Sequence, residues 1–134
     1  MSTPKTILIV EDDEVARQGL AAILRTEGYA TLVAADGKEG MDYCRRQPRP
    51  DLILLDMLMG EYDGWYFLRG WKADPTLLGI PVVIMTVGVT TREWAESHGC
   101  AGFVQKPINV NELLAEVLRL LPTEEVAKAR PAQP

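Results

Sequence analysis

Short apolar runs alternate along this chain with longer stretches in which apolar residues recur every three or four positions. The runs predict five β-strands, at residues 5–10, 30–34, 51–55, 81–86 and 102–105. The first, third and fourth runs each contain four consecutive apolar residues, which indicates strands buried on both faces. A parallel sheet covered by helices on both sides meets that requirement. The pattern therefore predicts a doubly wound, three-layer α/β/α sandwich.

The first two segments between strands carry clear helix signals. Four residues recur at helical spacing between positions 14 and 27: Leu20, Ile23, Leu24 and Glu27. Gly28 stands where a C-cap glycine belongs. A second helix is predicted over residues 37–47, with Met41 and Cys44 facing inward and Pro48 ending it.

The last helix has the clearest start in the sequence. Asn109 is a predicted N-cap, and Glu112 stands three residues later as its capping-box partner. The buried stripe of this helix is predicted to consist of Leu113, Leu114, Val117, Leu118 and Leu121.

The helices after the third and fourth strands carry weaker signals. Residues 65–71 are apolar almost all round, so this segment is either deeply buried or in part an interaction face. The next helix, from about residue 90 to residue 98, is short. We interpret its Trp94 as partial core, with partner docking as the alternative. His98 is interpreted as structural or solvated.

Length and charge limit the functions open to this chain. Its 134 residues, 47% of them hydrophobic, suit one domain, which we place at residues 1–121. Residues 122–134 contain three prolines without periodicity, which indicates a flexible tail or the start of a linker. With 14 basic against 19 acidic residues and no basic run, the net charge of −5 disfavours direct binding to nucleic acid or to an anionic membrane.

The absence of a long apolar stretch in the sequence argues against a membrane span or a secretory signal, and we expect a cytoplasmic protein. Cys44 and Cys100 have no metal-binding or redox spacing. We interpret both as buried free thiols in a reducing compartment.

Reactive polar residues follow four of the predicted strands. Glu11 and Asp12 follow the first, Asp56 the third, Thr86 ends the fourth and Lys106 follows the fifth. The carboxyl ends of parallel strands meet at one edge of a sheet, where open α/β folds place ligands. Three carboxylates crowded there would repel one another unless a cation lay among them, and oxygen ligands favour a hard ion such as Mg²⁺.

The remaining two groups suit an anion bound to that ion. A phosphoryl group has oxygens left over, for which Lys106 would supply a cation and Thr86 a small donor. The pattern thus predicts one site that combines a divalent cation with phosphoryl chemistry.

Over residues 5–121, the chain resembles the receiver domain of two-component response regulators, of the chemotaxis-regulator type. The matching fragments are Ile7 to Glu14, Asp51 to Asp56, Asp63-Gly64, Val83 to Thr86 and Lys106-Pro107. The resemblance implies a flavodoxin-like fold with sheet order 2-1-3-4-5. It also implies that Asp56 accepts a phosphoryl group from a histidine kinase or a phosphotransfer protein, and that the domain assists only its own phosphorylation and dephosphorylation.

The resemblance also implies a role for each candidate residue, with Mg²⁺ or Mn²⁺ as the metal. Asp12 and Asp56 would bind the metal directly, Glu11 would act mainly through bound water, and Leu58 would offer its backbone carbonyl. Thr86 corresponds to the switch hydroxyl, Lys106 to the active-site lysine and Phe103 to the rotating aromatic residue, although half-buried packing alone would explain Phe103 equally well. The implied partners are a kinase, an unknown downstream protein and, as a possibility left open, a second copy of the chain.

Three features depart from the family pattern. Met59-Gly60-Glu61 replaces a loop that usually contains proline, so we expect a looser loop. Val87 follows the switch hydroxyl, where a small residue is common. The stretch from residue 87 to residue 99 is slightly shorter than usual, which puts the usual dimer or target surface in doubt.

Two other functions use similar residues. A haloacid-dehalogenase-like phosphatase needs a second acid two residues after its nucleophile, and here that residue is Leu58. Flavodoxin-type binding of FMN needs a phosphate loop after the first strand, where Glu11 to Glu14 would repel a phosphate. Within the receiver family, both a stand-alone protein and a module of a larger regulator or hybrid kinase fit the sequence.

Overall fold

The computed structural model describes residues 3–87 and 91–122, and within them five parallel strands form one sheet in the order β2-β1-β3-β4-β5. The strands are β1 (Thr6–Val10), β2 (Ala30–Ala34), β3 (Leu52–Asp56), β4 (Val82–Thr86) and β5 (Gly102–Gln105). The helices are α1 (Glu14–Thr26), α2 (Gly37–Cys44), α3 (Gly64–Ala73), α4 (Arg92–Ser97) and α5 (Val110–Leu120). The predicted sheet order is therefore confirmed.

Both faces of the sheet are buried, as its apolar runs predicted. Leu8 and Ile53 face the core that contains Phe67 of α3, whereas Ile9 and Leu54 face the opposite core with Leu24 of α1. Fully burying one such side chain contributes about 1.5–3 kcal/mol relative to leaving it in water. The sheet is accordingly a rigid frame for the loops at its edges.

Each described helix begins at a polar cap that directly follows one of the strand-to-helix loops. In every case the cap side chain accepts a hydrogen bond from the main-chain N–H three residues later. These caps are Asp13, Asp36, Asp63, Thr91 and Asn109. The predicted cap of the last helix is confirmed, and all five helix starts lie at the carboxyl edge of the sheet.

The second helix ends earlier than predicted. It stops at Cys44 rather than Gln47. A proline removes the hydrogen bond to the carbonyl four residues before it, so it ends a helix one turn earlier than its own position. Pro48 has no N–H to donate to the Cys44 carbonyl, and its ring disfavours helical geometry at Gln47. The inward positions Met41 and Cys44 are confirmed as buried.

The third helix is buried on one side and partly exposed on the other, so both alternatives for this apolar segment, core packing and an exposed face, are present. Phe67, Leu68 and Trp71 are buried, whereas Trp65 remains 40% exposed. The rings of Trp65 and Trp94 of α4 meet edge to face, with their centroids 5.7 Å apart. His98 stacks on Trp94 at 4.1 Å, which agrees with a structural histidine.

The short fourth helix is confirmed, although Thr90, at its predicted start, lies outside the described residues. Residues 123–134, and with them most of the predicted tail, lie outside as well. Cys44 and Cys100 are buried and free of disulfide bonds, as predicted. Across the described ranges, we find no helix with the length and apolar character needed to cross a membrane.

Candidate functional site

The ends of four strands bring the candidate residues to one edge of the sheet. In the register of β3 and β4, Asp56 lies beside Met85, one residue before Thr86. Thr86 in turn lies beside Gln105, which precedes Lys106. Glu11 extends the line of β1 beyond Val10, and its N–H donates to the Ala34 carbonyl at 3.0 Å.

Three carboxylates meet at this edge. Glu11, Asp12 and Asp56 each place one carboxylate oxygen within 4.8 Å of the others. Glu11 and Asp56 are only 2% and 3% exposed, whereas Asp12 is exposed. The cluster is thus closed on the protein side and open to solvent at Asp12.

The side chain of Lys106 reaches into this cluster. Its Nζ lies 3.1 Å from Oε2 of Glu11 and 3.3 Å from Oδ2 of Asp56. Removing the charge of one member of such a buried ion-pair network would leave the opposite charges of the others without a partner, which is energetically costly. Lys106 therefore compensates part of the negative charge that the fold concentrates here.

The electrostatics of the site show that this compensation is incomplete. Burial and the hydrogen bond and charge of Asp56 raise the pKa of Glu11 to about 7, and Lys106 offsets only part of that rise. Burial by itself would lower the pKa of Lys106, but Asp56 and Glu11 outweigh it and the pKa is raised. The raised pKa of Glu11 shows that its negative charge is disfavoured in this environment, and a cation bound among the acids would relieve this.

The backbone after β3 folds tightly against Asp56. The N–H of Leu58 donates to Oδ1 of Asp56 at 3.2 Å, which orients the carboxylate. Gly64, at the start of α3, lies so close that a Cβ there would be 2.8 Å from the Asp56 carbonyl oxygen. Only glycine permits this approach, which explains the Asp63-Gly64 pair in the sequence.

The remaining predicted residues lie beside the acids or on the neighbouring strand. Thr86 is half-buried at the end of β4, with its Oγ1 3.3 Å from the carbonyl oxygen of Val87, whose side chain is 61% exposed. Phe103 is half-buried on β5 next to Ile84, and the Arg92 guanidinium lies 6.0 Å from its ring centroid. The strand register thus places Thr86 at the same edge of the sheet as Asp56, and Phe103 packs against the core that includes Ala95 of α4.

The donor set fits a hard divalent cation. All three side chains offer carboxylate oxygen, and the exposed Asp12 leaves an approach from solvent. Mg²⁺ binds proteins through one or two carboxylates and keeps several waters, which suits this arrangement. The ligand role of the Leu58 carbonyl stays a prediction.

One residue at the site escaped the sequence analysis. Nη1 of Arg17 donates to the carbonyl oxygen of Glu11 at 2.9 Å and to that of Asp12 at 3.4 Å. The only signal for it is the position of a basic residue one turn into a helix that follows two acids.

Comparison with known proteins decides the family. A model of the response regulator receiver domain matches residues 7–118. The chain belongs to the response regulator receiver family. This receiver is 32% identical over 116 residues to the polar-differentiation response regulator DivK from Brucella anthropi, covering 85% of this chain and 94% of DivK.

Other relatives differ in length. The DNA-binding response regulator MtrA from Mycolicibacterium smegmatis is 34% identical over 113 residues, which are 83% of this receiver but only 48% of MtrA, so the receiver spans about half of that protein. Among solved structures, the receiver domain of sensor histidine kinase PA1611 from Pseudomonas aeruginosa superimposes with a TM-score of 0.79 at 28% identity, covering 90% of this chain and all of that one. That structure has a magnesium ion coordinated in its active-site cleft.

Proposed function

We propose that this receiver accepts a phosphoryl group on Asp56 from a histidine kinase or phosphotransfer protein, with Mg²⁺ or Mn²⁺, and so switches a protein-interaction face. The observation that carries the proposal is the environment of Asp56. Its carboxylate is buried, lies among two further acids and is paired with Lys106 at 3.3 Å. The magnesium ion in the PA1611 receiver domain supports the choice of metal.

In this reaction one carboxylate oxygen of Asp56 forms a bond to phosphorus while the bond from phosphorus to the donor imidazole breaks. The leaving imidazole keeps that electron pair. A carboxylate is a weak nucleophile, so orientation and charge neutralisation supply most of the rate. The Leu58 N–H orients Asp56, and Lys106 is placed to stabilise a phosphoryl oxygen.

Glu11, Asp12 and Asp56 would hold the cation, with the Leu58 carbonyl as a further ligand. When bound, the cation supplies positive charge to the phosphoryl oxygens. Lys106 could shift from Glu11 toward the transferred group without leaving Asp56, because it already contacts both carboxylates.

The switch would run through Thr86 and Phe103. The Thr86 hydroxyl would turn toward the phosphoryl group, and Phe103 would then move into the space that Thr86 leaves. Phe103 already packs against the core that includes Ala95 of α4, with the Arg92 guanidinium over its ring. The face altered by this movement includes α4 and β5, and it would contact a downstream protein or a second copy of the chain.

This assignment makes the receiver a phosphoprotein that catalyses nothing beyond its own phosphorylation and dephosphorylation, in the cytoplasm. One alternative chemistry fits less well, and one alternative context fits equally well. A haloacid-dehalogenase-like phosphatase would need an acid at Leu58, whose side chain is apolar and points to solvent. A role as one module of a longer regulator, as in MtrA, keeps the same chemistry and changes only the output.

Intact-mass spectrometry with Mg²⁺ and acetyl phosphate tests the proposal. Wild-type protein should gain the mass of one phosphoryl group, and Asp56→Asn should not. Asp51→Asn is a matched control, because Asp51 precedes the same strand at the opposite edge of the sheet and accepts from the Thr6 N–H at 2.8 Å. Phosphorylation of Asp56→Asn to the wild-type level would contradict the assignment.

A further inference from the structure

Arg17 contacts three successive carbonyl groups in the turn between β1 and α1. Its Nη1 donates to the carbonyl oxygens of Glu11 and Asp12, at 2.9 and 3.4 Å. Its main-chain N–H donates to the carbonyl oxygen of Asp13 at 2.9 Å. The side chain of Arg17 therefore contacts the main chain of both acids, while its main-chain bond to Asp13 is the ordinary first bond of the helix.

This turn needs such a contact because it belongs to neither a strand nor a helix. β1 ends at Val10 and α1 begins at Glu14. Carbonyl oxygens that lie beside a group of carboxylates add to its negative potential, and a charged donor relieves this more strongly than a neutral one. The guanidinium of Arg17 supplies such a donor.

The orientation of Asp12 depends on this backbone more than that of Glu11 does. Glu11 is held through its side chain, which accepts from Lys106. For the Asp12 carboxylate, by contrast, we find no hydrogen bond within residues 3–87 and 91–122. The distance over which its oxygens can reach Asp56 is therefore limited by the position of the main chain of Asp12, which Arg17 contacts.

We infer that Arg17 is a positioning residue for the cation site, fixing the main chain of Glu11 and Asp12 so that their carboxylates meet Asp56 at ligand spacing. The inference rests on the function proposed above for that site. A positioning role can be distinguished from a simple charge effect, because the two change the affinity for a cation in opposite directions. Removing a nearby positive charge would strengthen the attraction of a cation, whereas releasing the turn would weaken binding.

Isothermal titration of the metal-free protein with MgCl₂ distinguishes these two effects. We expect Arg17→Met to weaken Mg²⁺ binding roughly tenfold, as is typical when a residue that orients metal ligands is lost. Arg17→Lys should fall between this variant and wild type, because an ammonium group still donates to a carbonyl but without the fork of a guanidinium. Arg25→Met is the matched control on the same helix, since Nη1 of Arg25 reaches Oγ1 of Thr31 at 3.4 Å, away from the acids.

Equal or tighter Mg²⁺ binding by Arg17→Met would overturn the positioning role. So would an equal loss in Arg25→Met, which would assign the effect to the stability of α1. If Arg17→Met fails to fold, Arg17→Gln carries the same expectation, because its amide is too short to reach both carbonyls. Wild-type protein that does not bind Mg²⁺ would instead overturn the proposed function. If the wild type is phosphorylated and Arg17→Met binds Mg²⁺ as tightly as the wild type does, only this inference is overturned.

Discussion

The ammonium group of Lys106 lies 3.1 Å from Oε2 of Glu11, although β3 and β4 separate the strands that precede these two residues. The side chains of Lys106 and Glu11 thus span the ends of both intervening strands together. The ammonium group also comes within 3.3 Å of Asp56. This single contact joins the two sides of the site, and it makes the charge of each group depend on the others.

Glu11 should make the metal-free protein less stable as the pH rises. Burial and the neighbouring Asp56 raise its pKa from 4.5 to about 7 in the folded chain. Between these values the folded state binds more protons than the unfolded state, so the free energy of unfolding falls as the pH increases through this window. In Glu11→Gln we expect the free energy of unfolding to decrease much less over the same pH range. Urea unfolding in EDTA at about pH 5 and about pH 8 measures it, and the same pH dependence in both proteins would contradict this reading of the site.

Replacing Lys106 should separate metal binding from phosphorylation. Lys106→Met removes the cation that would stabilise a phosphoryl oxygen, and we expect phosphorylation by acetyl phosphate to slow at least roughly tenfold. Mg²⁺ binding should be equal or tighter, because the lost charge repels the ion. Lys72→Met, at an exposed position in the last turn of α3, is the control. Weakened Mg²⁺ binding with an unchanged phosphorylation rate would refute the role assigned to this lysine.

Val87 should slow the loss of the phosphoryl group. Its branched side chain is exposed next to Thr86, where it can hinder the approach of water. We expect Val87→Ala to shorten the phosphoryl lifetime, measured by ³¹P NMR after the donor is removed. Leu78→Ala is a control at an exposed apolar residue that precedes β4, at the other end of that strand. An unchanged lifetime in Val87→Ala would argue against this role.

Phe103 should transmit the signal without affecting its acceptance. Phe103→Ala should be phosphorylated at the wild-type rate, because the ring is not among the groups that contact Asp56. The phosphorylation-dependent NMR shifts of α4 and β5 should nevertheless be largely lost. Thr86→Ala should lose them too, whereas Thr86→Ser, which keeps the hydroxyl, should respond like wild type. Unchanged shifts in Phe103→Ala would favour simple packing as the role of this residue.

The sheet could be predicted from the sequence because its signals are local. Runs such as Leu52 to Leu55 can be buried on both faces only in the middle of a parallel sheet, and this burial is observed. The end of α2 was missed because Pro48 ends a helix by its effect on Cys44, one turn earlier. The aromatic contact between Trp65 and Trp94 was also missed, since it depends on how two helices pack.

The meeting of the acids with Lys106, and the place of Thr86 at the same edge, could be predicted because all of these residues end or follow strands of one parallel sheet. Their order along the chain and the sheet order together determine which groups become neighbours. Arg17 could not be found in this way. Its contacts are with backbone carbonyls, and no residue type in the sequence marks a carbonyl that needs a donor.

The central claim is that Asp56 carries the phosphoryl group, and chemical mapping of the modified residue tests it most directly. Borohydride reduces an aspartyl phosphate to homoserine, so peptide mass spectrometry after phosphorylation and reduction locates the acceptor. We predict homoserine at position 56 in the wild-type protein, and its absence when Mg²⁺ is removed by EDTA. Homoserine at Asp12 or Asp51 instead, or no conversion at all in protein that binds Mg²⁺, would contradict the account.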